Sequence, residues 1–562
     1  MTTGHQLNVS TAVADVLAER AGHLFGLLGN GNAHLVSHLT SQGFPYTSAR
    51  HEAGTVAMAD AYYRASGRIA AATTTYGAGF TNTYTALAEA RLARIPLVLV
   101  VGDAPTTGIR SFDIDQKTAA EAVGVTTLVA LPENAGPMAQ RAFDLALRTV
   151  QPVVLAIPYD LATEPLLEQV ELDPLPAKAV WAPTSGELEH VAAVLRAAER
   201  PLLLAGRGIL LGDAVEPFQE LGDRLGAMFM TSVMATNAVR SPWNLGIAGG
   251  FAREHALDLA RQADVVLVAG ASLNSFQHRY GTLFGPATRV IRVDNEPESP
   301  HLYVDDYIRA DIAPFLEALL GRVPAADETR TWRHHASEVR EESFRSLGPV
   351  ENPVEFGPDG RLNPRAVVAA LEHILPKERS VVMDGGHFMG WAPMYLSVPD
   401  PQAMVLVGTA FQSIGLGFSS APGVSIARPD RTTVFITGDG GGLMGLADFE
   451  TFLRATPRGV VIALNDSAYG AELHQYASKG LDPAAMLIDE VDFSAIGRAL
   501  GTAGHKARTL ADLDKLKEWL VEGNEGVFVL DVAISQGVVV EWMSASLAAN
   551  LPPAAGSLKS RA

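Results

Sequence analysis

Residues 432–455 read TTVFITGDGGGLMGLADFETFLRA. An apolar run with strand-forming residues passes through the glycine-rich stretch 438–442 into a segment whose apolar residues have helical spacing. Glycines let backbone N–H groups approach an anion closely, and the start of a helix favours negative charge. The stretch therefore predicts a strand, a phosphate-binding turn and a helix of an α/β fold. The alternative is a tight turn that binds nothing.

Two acidic residues follow two successive strands of this region. Asp439 lies in the glycine-rich stretch, and Asp466 comes directly after the next apolar run, RGVVIALN. An aspartate beside a phosphate repels it unless a divalent cation lies between them, and Mg²⁺ commonly takes one or two carboxylates together with phosphate oxygens. Because successive strand ends lie side by side in a doubly wound sheet, the pair predicts a magnesium site. The alternative is a turn beside an unrelated Asx-turn.

Short apolar strands alternate with helices along most of the chain, in three blocks. A Pro-rich acidic stretch at 164–187 and a charged stretch at 324–364 separate the blocks. This pattern predicts an α/β protein of three consecutive doubly wound domains with mostly parallel sheets. In the first block, Ser10 or Thr11 is the expected N-cap of the first helix. The predicted units are an N-terminal domain at 1–165, a central Rossmann-like domain at 185–325, a C-terminal domain at 360–540 and a tail at 541–562.

Composition limits the compartment and the partners of the 562-residue chain. It has no cysteine, which excludes disulfides, thiol nucleophiles and cysteine-ligated metal sites. Its formal net charge of −19 argues against nucleic acid or an anionic membrane as a partner. The first ten residues lack the features of a signal peptide, and no apolar run reaches the roughly 20 residues that a bilayer requires. We therefore expect a soluble, cytoplasmic protein.

A second group of motifs lies near the amino terminus. Glu52 opens a helix rich in small residues, and TTTYGAGFTN follows at 73–82. Taken alone, a carboxylate at a helix start only complements the helix dipole. Together with GDGGG at 438–442 and Asn465-Asp466, however, these motifs resemble the thiamine-diphosphate-dependent enzymes, the superfamily of acetohydroxyacid synthase, pyruvate oxidase and benzoylformate decarboxylase. The resemblance covers essentially the whole chain, and it implies pyrimidine-binding, central and diphosphate-binding domains in that order.

The resemblance implies a role for each residue that matches a family motif. Glu52 would hydrogen-bond N1′ of the aminopyrimidine ring and promote loss of the proton from the thiazolium C2 atom. Glu472 is a second catalytic candidate, because it is placed to reach a bound intermediate. The implied Mg²⁺ ligands are the carboxylates of Asp439 and Asp466 and the main-chain carbonyl of Ala468. The implied cofactor-binding residues are Gly385, His387, Phe388, Gln412, Ile414, Gly438, Gly440, Gly441, Tyr469 and Gly470.

Two of these residues have shape-dependent roles in the family. Ile414 falls where the family has a large aliphatic residue that bends the cofactor, and the carbonyl of Gln412 would hold the 4′-amino group. Several positions depart from the family pattern. Asp466 stands where the family has asparagine and so adds a negative charge at the metal, and Gly77-Ala78-Gly79 stands where the family has Gly-Pro-Gly.

The implied activity is that of an acetolactate synthase-like lyase or carboligase that depends on thiamine diphosphate and Mg²⁺. A C2 ylide would attack the carbonyl of a 2-oxo acid or 2-hydroxyketone, CO₂ or a first fragment would leave, and the enamine would be protonated or add to a second carbonyl. The family also assembles its active sites between subunits, which implies a homodimer or homotetramer.

Three other functions stay open. The stretch Ala205-Gly206-Arg207-Gly208 follows a strand, and Arg279 lies where flavin-binding relatives have an arginine, so an FAD-dependent oxidase or decarboxylase of the same superfamily is one alternative, although FAD is not favoured. A non-catalytic paralogue is the second, and the presence of Glu52 and Asp439 argues against it. An NAD-type dehydrogenase ranks last, because no G-x-G-x-x-G with a following acidic residue comes after the first strand.

Overall fold

The structure, a computed structural model, describes residues 7–177, 179–297, 303–325, 331–340 and 354–550. They form three six-stranded sheets, and neighbouring strands run parallel in every pair. The predicted α/β fold of three consecutive domains is thereby confirmed. Within the described ranges, no helix combines the length and the apolar character needed to cross a membrane.

The first sheet has the strand order β2-β1-β3-β4-β6-β5. Its strands are β1 (Leu24–Gly26), β2 (Tyr46–Ser48), β3 (Ala71–Thr74), β4 (Leu97–Asp103), β5 (Thr126–Val129) and β6 (Pro152–Pro158). Its helices are α1 (Val9–Arg20), α2 (Ala33–Ser41), α3 (Glu52–Ser66), α4 (Ala78–Thr81), α5 (Tyr84–Leu92), α6 (Gln116–Ala122) and α7 (Ala135–Thr149). The central strands are buried because helices cover the sheet.

The start of α1 differs from the prediction. Asn8, rather than Ser10 or Thr11, is the N-cap. The Asn8 side-chain oxygen accepts the Thr11 backbone N–H at 3.0 Å, and the Thr11 hydroxyl accepts the Asn8 backbone N–H at 2.9 Å. This reciprocal pair satisfies two backbone donors at once, so the helix begins earlier than its apolar pattern indicates.

The central sheet has the order β12-β11-β10-β7-β8-β9. Its strands are β7 (Pro201–Ala205), β8 (Met228–Thr231), β9 (Asn244–Ile247), β10 (Val265–Ala269), β11 (Arg289–Asp294) and β12 (Asp306–Arg309). The helices are α8 (Ser185–Ala197), α9 (Gly208–Leu211), α10 (Val215–Leu225), α11 (Glu254–Ala260) and α12 (Ile312–Leu320), followed by α13 (Trp332–His335).

The third sheet has the order β14-β13-β15-β16-β18-β17, which repeats the topology of the first. Its strands are β13 (Arg379–Met383), β14 (Met404–Leu406), β15 (Thr432–Gly438), β16 (Arg458–Asn465), β17 (Ala503–Ala507) and β18 (Gly526–Ala533). The helices are α14 (Pro364–Ile374), α15 (Trp391–Tyr395), α16 (Gly417–Ala427), α17 (Asp439–Met444), α18 (Phe449–Ala455), α19 (Gly470–Tyr476), α20 (Phe493–Ala499), α21 (Asp514–Val521) and α22 (Glu541–Asn550).

The first and third domains share one hydrophobic core. Val56 and Met58 of α3 belong to the same buried cluster as Phe418 and Val424 of α16. The two helices approach so closely that a Cβ on Gly423 would lie 2.2 Å from the Met58 carbonyl oxygen. We propose to keep the domain division at 1–165, 185–325 and 360–540, since each sheet lies within one of these ranges.

Candidate active site

The two predicted metal-binding carboxylates lie together. Asp439 is the first residue of α17, Asp466 follows β16, and β15 and β16 are hydrogen-bonded neighbours. The two side chains share a hydrogen bond, and burial raises the pKa of both. The negative charge of Asp439 raises the pKa of Asp466 further. No Lys or Arg among the described residues forms an ion pair with either carboxylate, and Asp439 Oδ2 has no hydrogen-bond partner. A divalent cation between the two carboxylates would offset both their burial and their mutual repulsion.

A cation at this pair would need further ligands. Within the described residues, no group of three or more His, Asp or Glu side chains could hold a metal ion. Main-chain carbonyls, water or the oxygens of a bound ligand would therefore complete the coordination. Ala468, whose carbonyl is the predicted third ligand, is buried two residues after Asp466, and Ser467 between them has a φ of 58°. A positive φ at a non-glycine residue costs energy and is often found at functional sites.

We expect Asp466→Asn to stabilise the protein when it is free of metal. The amide would donate to Asp439 at every pH, and it would avoid the cost of keeping a buried Asp466 either protonated or ionised beside Asp439 at pH 7. This should raise the free energy of unfolding by about 1 kcal/mol and the apparent Tm of a chain of this length by roughly 1 °C. Because the raised pKa destabilises the fold only above the unfolded value of about 3.9, the gain should shrink as the pH falls towards 4. Thermal melts of the metal-free variant and wild type at several pH values test this, and an unchanged or lower Tm at pH 7 would contradict it.

Glycines around the pair have no room for side chains. A Cβ on Gly441 would lie 2.7 Å from Asp384 Oδ2, and one on Gly470 would lie 2.7 Å from Asp466 Oδ2. A Cβ on Gly440 would lie 2.7 Å from the ring of Tyr469. Backbone N–H groups at the starts of α17 and α19 thus lie close to the carboxylates, which is the arrangement that a phosphate–cation complex requires.

We call the surface around Asp439 and Asp466 that is formed by Gly440, Gly441, Tyr469 and Gly470 the cradle. Asp384 connects the two loops beside it, a role that the sequence does not reveal. Its Oδ1 accepts the backbone N–H of Gly385 at 2.7 Å and that of Gly415 at 2.9 Å, while its Oδ2 has no partner. Complete burial raises the pKa of Asp384 to about 6. The loop after β13 and the loop before α16 are therefore held at one point.

His387 presents a buried donor beside the cradle. Its Nε2 accepts the Val540 backbone N–H at 3.1 Å, and burial lowers its pKa to about 3, so the ring is neutral with its proton on Nδ1. Nδ1 has no partner, and it lies 3.3 Å from where a Cβ on Gly470 would be. The neighbouring His474 ring lies 4.5 Å away, and its buried Nε2 also lacks a partner. Phe388 packs against Gly438, because a Cβ on Gly438 would lie only 2.9 Å from the Phe388 ring.

The loop before α16 places two further predicted residues at the surface of the cradle. Ile414 keeps 37% of its area exposed, and its Cγ2 lies 3.0 Å from where a Cβ on Gly385 would be. Gln412 has a φ of 59°, so its main chain is held in a left-handed conformation that non-glycine residues seldom adopt. The neighbouring Phe411 and Met444 are also exposed.

The two catalytic candidates lie apart in the chain. Glu52 is the first residue of α3, and its Oε2 accepts the Asn82 side-chain N–H at 2.9 Å. Gly79 lies beside it, because a Cβ there would be 3.7 Å from Glu52 Oε1. Within the described ranges, no side-chain hydrogen bond or ion pair joins Glu52 to the C-terminal domain. Glu472 lies on α19, exposed, two residues after Gly470. The structure therefore brings together the residues predicted to hold the metal and the diphosphate, whereas Glu52 makes no side-chain bond to any of them within the described ranges.

Two residues that the sequence analysis missed support the loop that carries Asp466. Gln536 Nε2 donates to the Asp466 carbonyl oxygen at 2.6 Å, and Arg361 Nη1 donates to the same oxygen at 3.1 Å. Both are far from Asp466 in sequence, and no local motif marks them.

The central domain uses its glycine turn for packing. A Cβ on Gly206 would lie 2.1 Å from the Gly270 carbonyl oxygen, and one on Gly208 would lie 2.5 Å from the Gly270 Cα. The turn between these glycines directs Arg207 away from the sheet end, to the Ala93 and Arg94 carbonyls of the first domain. Close approach of two loops therefore explains both glycines without a nucleotide.

Three family models match the chain in order. The models describe the thiamine pyrophosphate enzyme N-terminal TPP binding domain at residues 7–123, the central domain at 188–319 and the C-terminal TPP binding domain at 384–532.

Individual proteins resemble this chain over most of its length but at low sequence identity. The sulfoacetaldehyde acetyltransferase of Castellaniella defragrans is 26% identical over 531 residues, which cover 88% of this chain and 86% of that protein. The acetolactate synthase isozyme 2 large subunit of Escherichia coli (strain K12) is 24% identical over 536 residues, which cover 92% of this chain and 94% of that protein. Among solved structures, the thiamine diphosphate-dependent 4-hydroxybenzoylformate decarboxylase of Rhodococcus jostii RHA1 has a TM-score of 0.76 at 19% identity, covering 94% of this chain and 99% of that one.

Proposed function

The chain belongs to the family of thiamine pyrophosphate enzymes, and from this premise we propose that it is a lyase or carboligase dependent on thiamine diphosphate and Mg²⁺. The proposed substrates are a 2-oxo acid or a 2-hydroxyketone, with acetolactate synthase-like chemistry. The observation that carries the proposal is the buried Asp439–Asp466 pair, which has no basic partner among the described residues and lies in a cradle of glycines.

The residues present fit a magnesium diphosphate group. Asp439 Oδ2 is a buried acceptor without a partner, and His387 Nδ1 is a buried donor without one. We propose that Asp439, Asp466 and the carbonyl of Ala468 hold the cation. The diphosphate oxygens would be held by the His387 Nδ1–H and by backbone N–H groups of the predicted cradle residues Gly385, Gly440, Gly441, Tyr469 and Gly470. When bound, thiamine diphosphate supplies the carbanion chemistry that protein side chains lack.

The remaining residues of the site orient that group and move one proton. We propose that the exposed Ile414 supports its central bend and that the Gln412 carbonyl accepts a hydrogen bond from the 4′-amino group. Glu52 would hold the proton shared between its carboxyl group and ring nitrogen N1′, which is the acid–base role in the site. Glu472, exposed two residues after Gly470, would contact the substrate.

We propose that a second copy of the chain completes each site. Glu52 makes its side-chain hydrogen bond with Asn82 of its own domain, and no side-chain hydrogen bond or ion pair among the described residues joins it to the C-terminal domain. Exposed apolar side chains occur near both halves, Phe112 beside the Gly77 loop and Ile414 and Met444 beside the cradle, as expected for surfaces that a partner covers. A homodimer or homotetramer is therefore expected, and we retain a cytoplasmic location as a prediction from composition.

The test is reconstitution of cofactor-depleted protein. We expect release of CO₂ or formation of carboligation products from at least one member of a panel of 2-oxo acids, including pyruvate, only when thiamine diphosphate and Mg²⁺ are both present. Calorimetry on the same protein should show thiamine diphosphate binding that disappears when Mg²⁺ is removed. Absence of binding under both conditions would contradict the proposed function, whereas binding without turnover would support the non-catalytic alternative.

A further inference from the structure

A buried group of three charged side chains, with a partly buried fourth beside it, lies where the three domains meet. Asp60 and Arg64 belong to α3, Glu89 belongs to α5, and Arg207 comes from the central domain. Arg64 Nε lies 2.5 Å from Asp60 Oδ1, and Arg64 Nη2 lies 3.2 Å from Glu89 Oε1. The side chains of Asp60, Arg64 and Glu89 are 1%, 5% and 0% exposed. Two carboxylates thus share the Arg64 guanidinium in the interior. The partly buried Arg207 bonds the Ala93 and Arg94 carbonyls, and it lies near enough for Asp60 and Arg64 to affect its pKa.

One oxygen of this group crosses to the C-terminal domain. Glu89 Oε2 accepts the Phe411 backbone N–H at 2.7 Å, and the Gly408 backbone N–H also hydrogen-bonds to the carboxylate. An ionised acceptor makes such hydrogen bonds shorter and stronger than neutral ones. The carboxylate therefore fixes both ends of residues 408–411, next to the positive φ of Gln412.

The loop of residues 408–413 has one internal backbone hydrogen bond, but its central residues are not held by packing. The Ser413 backbone N–H donates to the Gly408 carbonyl at 2.9 Å, which closes the loop on itself. Residues 409–412 are nevertheless exposed, so no packing holds Gln412 in its strained conformation. Glu89 is the buried group that joins this loop to a rigid element, since α5 is packed into the first domain.

We propose that Glu89 is a positioning residue that, through the Phe411 and Gly408 amides, directs the Gln412 carbonyl towards the 4′-amino group of thiamine diphosphate. This role rests on the proposed function. Glu89 itself would touch neither cofactor nor substrate. The same contact also ties the loop to α3 through Arg64, so the first domain of a chain would shape the cofactor site on its own C-terminal domain while Glu52 serves the site of the second copy.

The test compares Glu89→Gln with the control Glu372→Gln. Glu372 likewise pairs with a buried arginine, Arg379, and accepts a backbone N–H, that of Ser397 at 3.1 Å, but it lies away from the loop. We expect amide hydrogen exchange in the peptide containing 408–413 to increase at least about tenfold in Glu89→Gln and to stay unchanged in the control. Exchange is measured on the full-length protein without cofactor, so it does not depend on activity.

The second readout is calorimetric binding with Mg²⁺ of two compounds, thiamine diphosphate and its analogue without the 4′-amino group. Glu89→Gln should weaken binding of thiamine diphosphate by about tenfold and binding of the analogue by less than twofold, because only the 4′-amino contact is lost. Equal weakening of both compounds, or unchanged exchange at 408–413, would overturn the proposal.

Two further outcomes keep this inference separable from the proposed function. If wild type bound neither compound, the proposed function would fail, and the positioning role with it, whatever the exchange showed. If Glu89→Gln did not fold, Glu89→Asp would replace it. That variant keeps the charge but shortens the side chain, and it should show the same two effects at smaller size, whereas wild-type behaviour of Glu89→Asp in both measurements would overturn the proposal.

Discussion

Replacement of Glu52 by glutamine is expected to lower kcat by about 10²–10⁴-fold, the usual contribution of general acid–base catalysis. Glutamine keeps the shape of the side chain and can still accept the Asn82 N–H, so α3 should start as before. It cannot hold or release the proton at N1′, however, and in the proposed function turnover would depend on that proton. Binding of thiamine diphosphate and Mg²⁺ should change by less than about tenfold, because the proposed diphosphate and metal ligands are untouched.

The matched control for this variant is Glu450→Gln. Glu450 is also in the first turn of a helix, α18, and it pairs with exposed arginines, Arg50 and Arg454. Its loss removes a helix-start carboxylate without touching the proposed site, so we expect kcat within about twofold of wild type. Steady-state kinetics with the best substrate of the panel, together with calorimetry, separates the two effects. A Glu52→Gln enzyme that kept a third or more of the wild-type kcat would contradict the acid–base role.

We expect the second large effect from replacement of Asp439 by alanine, which should weaken the binding of thiamine diphosphate. It removes one of two buried carboxylates and leaves the cation with Asp466 alone among the side chains. A buried cation that loses one of its two proposed carboxylate ligands loses an oppositely charged partner, which costs about 3 kcal/mol and is roughly a 100-fold loss of affinity for thiamine diphosphate in the presence of Mg²⁺. Asp466→Asn, which retains an oxygen ligand, should lose far less. Calorimetric titration of each variant with thiamine diphosphate at fixed Mg²⁺ tests this difference.

Asp103→Ala is the control for Asp439→Ala. Asp103 also lies at the carboxyl end of a strand, β4, and its pKa is raised by burial, but it belongs to the first domain and bonds Gln116 and the Ala104 N–H. Cofactor affinity should stay within about threefold of wild type in this control, because Asp103 is none of the proposed metal or diphosphate ligands. If Asp439→Ala bound thiamine diphosphate as tightly as Asp103→Ala does, the metal site would be assigned wrongly.

The same two variants test whether the site forms between two copies. Glu52→Gln and Asp439→Ala should each be nearly inactive alone. When the subunits are mixed during expression, half of the dimers carry one of each, and one of their two sites then has both residues intact. We expect about a quarter of the wild-type activity to return. No recovery in a sample shown by mass spectrometry to contain mixed dimers would mean that both residues serve the same chain.

The sequence predicted the cradle well because its motifs are local. The strand, the glycine turn and the start of α17 all lie within 432–444, so propensity and glycine geometry are enough to place Asp439. Pairing it with Asp466 needed only the rule that successive strand ends are neighbours, which the sheet order confirms. The first N-cap was predicted wrongly, since the preference for Ser or Thr does not show which of several polar residues makes the reciprocal contact.

Other features depend on residues that no local pattern connects. Asp384 ties two loops through amides of Gly385 and Gly415, and Gln536 supports the Asp466 carbonyl from the far end of the domain. Glu89 reaches the amide of Phe411 across a domain boundary. In the sequence, Asp384 is an acidic residue in a loop, Gln536 is a polar residue after a strand, and Glu89 is a glutamate within a helix. Their partners are set by how the sheets and domains pack, which depends on the summed burial of many side chains.

By itself, then, the sequence determined three α/β domains and the family, because strand–helix alternation and glycine turns act over a few residues, and it predicted the residues that we propose to carry the chemistry. Only the tertiary structure decided that Asp439 and Asp466 share a buried hydrogen bond, that His387 keeps a free Nδ1–H, and that Glu52 makes its side-chain hydrogen bond with Asn82 of its own domain. Burial and hydrogen-bond geometry fix proton positions and charge states, and both arise only when distant segments exclude water together.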